Sequence, residues 1–323
     1  MSTVLETING GTRYLEERGI DDARRNMQML VAHQLGCTRM ELYTQFDRQM
    51  DESELFPLRE MLKKRSQGIP IQHLLGKVHF HKHEFKTDAR ALIPRPETEE
   101  LVEWILEWNL PEDLKFLDTD RQYSCAYFTD GDRSLDDAQV DKKAHIAAKL
   151  LIRPGDRILD IGCGSGVIGL TLAAARPRWQ VTLSDISADA IALAQENATR
   201  LGIFPSTFFQ SDLFSNVVGD YDGIVANLPY IPEAERTKLT REVMHDPALA
   251  LFSGVDGLDL IRRFIPEAFT RLKPRGWIVL EIGHDQASHV SEILHAHSFT
   301  NIEVKTDLSG IARFPFAKKT SGI

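Results

Sequence analysis

Between residues 157 and 316 the sequence alternates between short apolar runs and longer amphipathic runs. The short runs predict β-strands at 157–161, 180–184, 207–210, 223–226, 277–282, 301–305 and 312–316. The longer runs predict helices at 167–175, 188–201, 258–272 and 286–297. Strands that alternate with helices predict a mainly parallel, doubly wound, Rossmann-like α/β sheet. Because such sheets bind ligands at the carboxyl ends of their strands, we expect a site at that edge.

The residues before this alternation predict a smaller helical domain and a connecting hairpin. Apolar residues recur at helical spacing near the N-terminus, where Asp21 and Asp22 indicate a helix cap and Gly36 a helix end. A turn at Gly76 and two well-spaced phenylalanines predict a β-hairpin within 73–93. We therefore predict three parts, namely a helical substrate-docking domain at 1–70, a hairpin linker at 71–95 and a cofactor-binding domain at 96–323.

Residues 111–141 interrupt the predicted main domain. This stretch holds nine acidic side chains against three basic ones, and its apolar periodicity is poor. Such a composition predicts a surface insertion that packs loosely. A calcium-binding loop is the alternative, but the ligand spacing of an EF-hand is absent.

Composition narrows the class of protein. The net charge of −9 argues against nucleic-acid binding as the main activity, because such proteins usually carry a basic face. Cys37, Cys125 and Cys163 show no paired spacing, which fits a reducing cytoplasm. We see no signal peptide and no run approaching the ~18–20 apolar residues of a membrane span. We therefore expect a soluble, cytoplasmic protein without membrane or stable nucleic-acid contacts.

A glycine-rich loop directly follows the first predicted strand of the alternation. Its residues are Gly162, Cys163, Gly164, Ser165 and Gly166. Glycines at this place let the backbone turn sharply and approach a ligand closely. The loop therefore predicts a site for a nucleotide-like cofactor at the start of the next helix.

The cofactor is not decided by the glycines alone. The spacing from Gly164 to Gly169 satisfies the dinucleotide pattern, which leaves a dehydrogenase open. S-adenosylmethionine (SAM) methyltransferases use the same loop with an acidic residue before it, and Asp160 stands there. Asp185 ends the next strand, where a carboxylate accepts hydrogen bonds from ribose hydroxyls, although it could serve only as a helix cap.

The third and fourth predicted strands also end in polar residues. Asp212 and Leu213 follow the third strand, where they can hold the amino group and the face of an adenine, or form only a turn. We interpret the acidic residue before the glycines and these strand ends as favouring SAM, with Asp160 facing its methionine part.

The fourth predicted strand ends in Asn227, Leu228, Pro229 and Tyr230. The Asn227 side-chain oxygen can accept a hydrogen bond from an NH2 group. Pro229 lacks an N–H and restrains the residue before it, so that the Leu228 carbonyl becomes a second fixed acceptor. Tyr230 offers a flat surface. This turn predicts a slot for a planar amide or aromatic amine, with a simple strand-end turn as the alternative.

Such a slot suits methyl transfer to a poorly nucleophilic nitrogen. Two acceptors orient the NH2 group and aim its lone pair at a methyl sulfonium, which is catalysis by positioning and electrostatics. No general base is needed before the transfer, since the proton can leave afterwards.

These motifs carry a resemblance to a known family. The loop with Asp160, Asp185 and the turn at Asn227 looks like an amino-methyltransferase of the Asn-Pro-Pro-Tyr class. Further segments resemble the release factor glutamine methyltransferases, or HemK-type family, namely 68–76, 93–99, 246–254, 256–258, 280–283 with Gln286, and 307–313. The resemblance covers most of the chain except 111–141.

The resemblance implies a helical domain joined by a hairpin to a SAM-binding domain. It implies as substrate the glutamine of the Gly-Gly-Gln loop in class 1 peptide chain release factors. We predict that SAM contacts Asp160, Gly162, Cys163, Gly164, Ser165, Gly166, Asp185, Asp212, Leu213 and Asn227. We predict that the glutamine amide is held by Asn227, Leu228, Pro229 and Tyr230. Arg95 and Glu97 would lie near the cofactor or form only an interdomain ion pair.

One departure from the family keeps alternatives open. Leu228 stands where the family usually has proline, and Asn-Leu-Pro-Tyr also occurs in ribosomal RNA adenine dimethyltransferases. An adenine-N6 methyltransferase acting on RNA or DNA is therefore the nearest alternative. The acidic charge and the roughly 150 residues before the glycine loop argue against it. A non-catalytic release-factor-binding protein is a further alternative.

Three histidines invite a metal hypothesis. His79, His81 and His83 alternate, which in one strand would place their imidazoles on one face. No fourth ligand is apparent, and alternating polar residues are common on hairpins. We predict no metal site.

Overall fold

A computed structural model of the chain describes residues 2–108, 155–205 and 207–320. The predicted acidic insertion at 111–141 and Cys125 lie outside these ranges. The α-helices are α1 (Val4–Glu16), α2 (Ala23–Leu35), α3 (Arg39–Leu42), α4 (Glu52–Ser66), α5 (Ile71–Leu75), α6 (Pro96–Trp108), α7 (Val167–Ala175), α8 (Ala188–Leu201), α9 (Asp259–Arg271) and α10 (Ala287–Ala296). The strands are β1 (Ser2–Thr3), β2 (Gln49–Met50), β3 (Lys77–Phe80), β4 (His83–Lys86), β5 (Arg157–Ile161), β6 (Gln180–Asp185), β7 (Thr207–Gln210), β8 (Tyr221–Asn227), β9 (Leu272–Glu281), β10 (Phe299–Thr306) and β11 (Ala312–Lys319).

The N-terminal helices pack around their own apolar core. Its members include Val4 and Ile8 of α1, Leu30 of α2 and Leu58 of α4, all of them buried. Capping boxes begin α1, α3 and α4, since the side chains of Thr3, Thr38 and Asp51 each accept a hydrogen bond from the third helical residue. The domain boundaries that we drew at residues 70 and 95 stay a prediction.

The start of α2 differs from the sequence prediction in its mechanism. Asp22 occupies the cap position, but its backbone is left-handed at φ 51° and its side chain makes no capping hydrogen bond. The Asn26 side chain instead donates to the Asp21 and Asp22 carbonyls. The predicted helix end is confirmed, because Gly36 is left-handed and its N–H donates to the Ala32 and His33 carbonyls.

The hairpin of β3 and β4 connects the helical region to the main sheet. Phe80 and Phe85 are buried in the core of the main domain. His81 lies in the turn with φ 53°, so His79 and His83 stand on opposite strands. The predicted common face of three imidazoles is therefore wrong, because the chain reverses at the middle histidine. The described residues hold no cluster of metal-binding side chains.

A buried asparagine of α8 fixes the hairpin to the cofactor-binding domain. The Asn197 side chain accepts a hydrogen bond from the Lys86 backbone N–H at 2.7 Å and donates to the Lys86 carbonyl at 3.1 Å. The same amide group donates to the Ser165 carbonyl at 2.9 Å. One side chain thus joins the second hairpin strand to the glycine loop.

The main sheet has seven strands in the order β10-β11-β9-β8-β5-β6-β7. The five strands from β9 to β7 are parallel, while β11 runs antiparallel to both β9 and β10. One apolar core covers the face with α6, α7 and α8, and another covers the face with α9 and α10. The structure confirms the predicted doubly wound, Rossmann-like fold. In the described part of the chain, no helix has both the length and the apolar character needed to cross a membrane.

Candidate active site

A cavity of about 290 Å³ opens at the carboxyl edge of the parallel strands. Among the residues predicted from sequence, those on its wall are Gly162, Cys163, Gly164, Ser165, Asp185, Asp212, Leu213, Asn227, Leu228 and Pro229. Asp160, Gly166 and Tyr230 are not on the wall. The loops after β5, β6, β7 and β8 therefore meet at one cavity, as the parallel sheet requires.

The glycine loop takes a left-handed backbone at alternate positions. The φ angles of Gly162, Gly164 and Gly166 are 71°, 55° and 84°. A β-carbon added at Gly162 would lie 3.0 Å from the Leu228 Cδ2 atom. The loop thus needs glycine for its conformation, and its first glycine also leaves room for the turn after β8.

Asp185 holds this loop from the end of β6. Its Oδ2 atom accepts a hydrogen bond from the Gly164 N–H at 2.9 Å, and its Oδ1 atom accepts one from the Ser187 N–H at 2.9 Å. The cap of α8 is Ser187, whose hydroxyl accepts from Ala190, so the interpretation of Asp185 as the helix cap is wrong. Burial raises the pKa of the Asp185 carboxyl. Each carboxylate oxygen keeps a lone pair that can accept from a ligand hydroxyl.

Asp160 lies beneath the loop rather than on the cavity wall. Its side chain is buried, and its Oδ2 atom accepts a hydrogen bond from the Gly169 N–H at 2.8 Å. No donor among the described residues reaches its Oδ1 atom. Burial raises the pKa of the carboxyl to about 7. In this structure Asp160 anchors the first turn of α7, and the predicted contact with the methionine part of SAM stays a prediction.

Gly166 and Tyr230 also take supporting positions. A β-carbon at Gly166 would lie 3.1 Å from the Ala194 β-carbon, so this glycine allows α7 and α8 to approach each other. The Tyr230 carbonyl accepts a hydrogen bond from the Gln286 side chain at 2.9 Å. Burial and the nearby Glu281 carboxylate raise the pKa of the Tyr230 hydroxyl. The Tyr230 hydroxyl therefore lies near Glu281, and the predicted contact of its ring with the amide stays a prediction.

Asp212 and Leu213 reach the cavity from the end of β7. The Asp212 carboxylate forms an ion pair of 2.9 Å with Arg263 of α9, which also lies on the wall. Leu213 has a left-handed backbone at φ 47° and a buried side chain. The ion pair partly occupies the carboxylate that we assigned to an adenine amino group.

The turn after β8 presents two acceptors. The Asn227 Nδ2 atom donates to the Thr98 hydroxyl at 3.2 Å, and within the described ranges no donor reaches its Oδ1 atom. The Leu228 carbonyl likewise accepts no hydrogen bond from the described residues. Leu228 is buried beside Ile161 and Leu258 in the core under the cavity. Leu228 stands where the family that the sequence resembles usually has proline. In this chain the packed Leu228 side chain, rather than a proline ring, anchors the turn.

The segment between the hairpin and α6 supplies a wall that sequence reasoning largely missed. Ala91, Leu92, Pro94 and Arg95 line the cavity, and so does Thr98 in the first turn of α6. The segment is tied to the loop before α9, because Asp246 accepts hydrogen bonds from the Ile93 N–H at 3.2 Å and the Arg95 guanidinium at 2.8 Å. Arg95 therefore lies at the cavity and also forms an ion pair. The available signal was the alternation of Pro94, Arg95 and Pro96, which excludes a central strand and allows a helix to begin only at Pro96.

Two protein families match the sequence. The Methyltransferase small domain family matches residues 136–257, and the PrmC N-terminal domain family matches residues 6–76. The second match covers most of the predicted helical domain, and the first covers the glycine loop and the turn after β8.

Full-length relatives match both parts together. A release factor glutamine methyltransferase from Koribacter versatilis is 32% identical over 98% of this chain and 99% of its own. One from Bacillus subtilis is 31% identical over 96% of each chain. Among solved structures, the hMettl16 catalytic domain matches 84% of this chain and 83% of its own, with a TM-score of 0.50 and 13% identity. That last likeness concerns the fold alone.

Proposed function

Because this chain belongs to the release factor glutamine methyltransferase family, we propose that it methylates a glutamine side chain in class 1 peptide chain release factors. Membership of this family shows that the chain is a methyltransferase that takes its methyl group from SAM. The proposed acceptor is the amide nitrogen of the glutamine in the Gly-Gly-Gln motif. The proposed compartment is the cytoplasm, where release factors act in translation.

The cavity has the features that SAM requires. Its volume of about 290 Å³ is close to the lower end of the range for small-molecule pockets. Asp185 offers carboxylate oxygens suited to ribose hydroxyls, and the left-handed glycines leave the loop backbone open to close approach. Ile186, Leu213 and Leu260 add apolar wall suited to a flat base. We therefore assign the cofactor to this side of the cavity.

The observation that supports the proposal best is the shared cavity of the glycine loop and the Asn227 turn. Bound SAM supplies a methyl group on a positively charged sulfur. The Asn227 Oδ1 atom and the Leu228 carbonyl accept hydrogen bonds from the substrate NH2 group and orient it. Pro229 cannot donate a competing hydrogen bond. The protein thus contributes position and electrostatics, and the amide proton leaves after transfer.

The decisive experiment offers the enzyme three acceptors. Purified enzyme is incubated with methyl-labelled SAM and a class 1 release factor, its Gln→Ala variant in the Gly-Gly-Gln motif, or ribosomal RNA. We expect label on the release factor, with mass spectrometry placing one methyl group on that glutamine, and none on the variant. Equal label on the Gln→Ala variant, or label on RNA alone, would overturn the substrate assignment.

A further inference from the structure

The orientation of the Asn227 amide decides whether the slot works. A primary amide presents an acceptor on one side and a donor on the other, and the two orientations have nearly the same shape. With its oxygen toward the cavity, Asn227 accepts from the substrate NH2 group. With its nitrogen there, two donors would face each other and the substrate would be repelled. The enzyme therefore needs a device that selects one orientation.

We infer that Thr98 and Glu281 are positioning residues that hold the Asn227 amide with its oxygen toward the substrate. This inference rests on the proposed function and names residues outside the glycine loop and the Asn227 turn. Neither residue is required to touch the reacting atoms, because both act through the Asn227 side chain.

The direction of the hydrogen bonds carries the inference. The Thr98 hydroxyl has one proton, and it donates that proton to the Glu281 Oε2 atom at 2.7 Å. The Thr98 oxygen can then only accept, and its donor is the Asn227 Nδ2 atom at 3.2 Å. An ionised Glu281 accepts only, so it sets the direction of the whole chain. The Asn227 oxygen is left for the substrate.

The fold gives this chain little freedom to rearrange. Asn227 and Glu281 are register partners on the parallel strands β8 and β9, so their side chains leave the sheet side by side at its carboxyl edge. Thr98 comes from the first turn of α6, which lies on the same face. Thr98 is 3% exposed and Glu281 is 2% exposed, so water does not replace either partner.

The surroundings of Glu281 make the orientation of the Asn227 amide depend on pH. The charged and titratable groups that face it are Glu97 of α6, Arg313 of β11 and Tyr230 of the turn. Burial raises the pKa of Glu281 to about 7, against the lowering effect of its hydrogen bonds with the Thr98 and Asn227 side chains. When Glu281 is protonated, its carboxyl O–H can donate to the Thr98 oxygen, and the Thr98 proton can then turn toward the Asn227 oxygen. The acceptor orientation is then no longer selected.

The first test removes the hydroxyl and keeps the shape. We expect Thr98→Val to lower kcat by about 10–100-fold on the release factor, because a charge-assisted hydrogen bond is lost. Thr98→Ser should restore most of the rate, and the Kd for SAM should stay within about twofold of wild type. Thr171→Val is the matched control, because this buried hydroxyl has no hydrogen-bond partner in the described structure.

A double-mutant cycle separates positioning from general damage. If Thr98 acts through Asn227, Thr98→Val has no further effect on kcat in an Asn227→Ala background. If the kcat losses of the two single variants multiply in the double variant, the inference is overturned. Full activity of Thr98→Val would overturn it as well.

Glu281→Gln gives a second readout that does not need the Thr98 variant to fold. Wild-type kcat should fall as pH drops through about 7, and the variant should lose this step, since its amide does not titrate. An unchanged pH profile contradicts the inference. Should the wild-type enzyme leave the glutamine unlabelled, the proposed function itself is wrong and the inference falls with it. A labelled glutamine with a normal Thr98→Val rate overturns the inference alone.

Discussion

Asn227 is the residue from which we expect the largest single effect on catalysis. In the proposed mechanism its oxygen accepts from the substrate amide, while its nitrogen donates to the Thr98 hydroxyl. We expect Asn227→Ala to lower kcat by about 10²–10³-fold, the usual cost of removing one preorganised hydrogen-bonding group. The Kd for SAM, measured by calorimetry, should remain within about twofold of wild type.

Ser288→Ala is the control for this change, because Ser288 is exposed on α10, outside the predicted docking domain, and does not line the cavity. It should leave both kcat and the Kd for SAM unchanged. A parallel loss of SAM binding in Asn227→Ala would show that Asn227 supports the cofactor site instead of the substrate amide.

The sequence located those site residues that stand next to one another in the chain. The glycine loop and the turn at Asn227 each form a short motif at a strand end, so local spacing was sufficient to find them. Thr98 and Arg263 come from distant elements, and only the folded sheet brings them to the cavity. Asp160 belongs to its motif but points beneath the loop, which spacing along the chain does not reveal.

At the scale of elements, one buried arginine joins α4 to the segment before α9. The Arg65 side chain is 2% exposed and donates to the Asn26 side chain, the Ile69 carbonyl and the Glu242 carboxylate. A buried guanidinium that loses its carboxylate partner keeps a charge that water cannot solvate fully. The helical region and the segment before α9 are therefore expected to lose stability together when this pair is broken.

We predict that Glu242→Ala lowers the free energy of unfolding by about 1–3 kcal/mol, as expected when a hydrogen bond to a buried charge is removed. Urea titration followed by circular dichroism measures this value. Glu235→Ala is the matched control, since its ion pair with Lys238 is long, at 3.7 Å, and exposed. That variant should change the free energy by less than about 0.5–1 kcal/mol. Equal effects of both substitutions would contradict a special role for Arg65.

The secondary structure of the main domain was largely predictable, and its exceptions have physical causes. The predicted strand at 157–161 and helix at 188–201 have the bounds of β5 and α8, because apolar periodicity and flanking glycines mark them. The β9 strand begins at Leu272, before its predicted start at 277, because Leu272 already pairs with Tyr221. The register then shifts across an irregular stretch, in which Arg275 is left-handed at φ 67°, before Trp277 pairs with Gly223. The turn at His81 escaped prediction because no glycine or proline marks it.

At the scale of the whole molecule, buried carboxyl groups link stability to pH. Burial raises the pKa of both Asp160 and Glu281 to about 7. In the unfolded chain such groups ionise near pH ~4, so between pH ~4 and about 7 the folded state binds more protons than the unfolded one. Stability from these two groups is complete at the acidic end of that window and is lost as pH rises through it. Exposed acids such as Glu196, whose pKa is lowered to about 2 by Arg90 and Lys86, act in the opposite direction at lower pH.

We predict that Asp160→Asn reduces this loss. Asparagine can still accept the Gly169 hydrogen bond and carries no charge, so the Tm of the variant should fall less than that of wild type between pH 5 and 8. Thermal melts in a common buffer series measure the difference. Asp189→Asn, an exposed change on α8, should follow the wild-type curve. Parallel curves for Asp160→Asn and wild type would contradict the assigned burial cost.

The three hydrogen bonds that the Asn197 side chain makes to the second hairpin strand and to the glycine loop bear on how chimaeras of these enzymes can be built. A chimaera spliced between residues 87 and 95 would take the hairpin backbone that Asn197 binds from one parent and Asn197 itself from the other. The position of the hairpin against α8 would then no longer be set by one parental sequence. Splicing ahead of β3 keeps the hydrogen bonds of Asn197 and the cavity wall around Ala91 within one parental sequence. To exchange substrate preference among relatives, we therefore expect the best junction between the two parental sequences to lie near residue 76, well before the glycine loop.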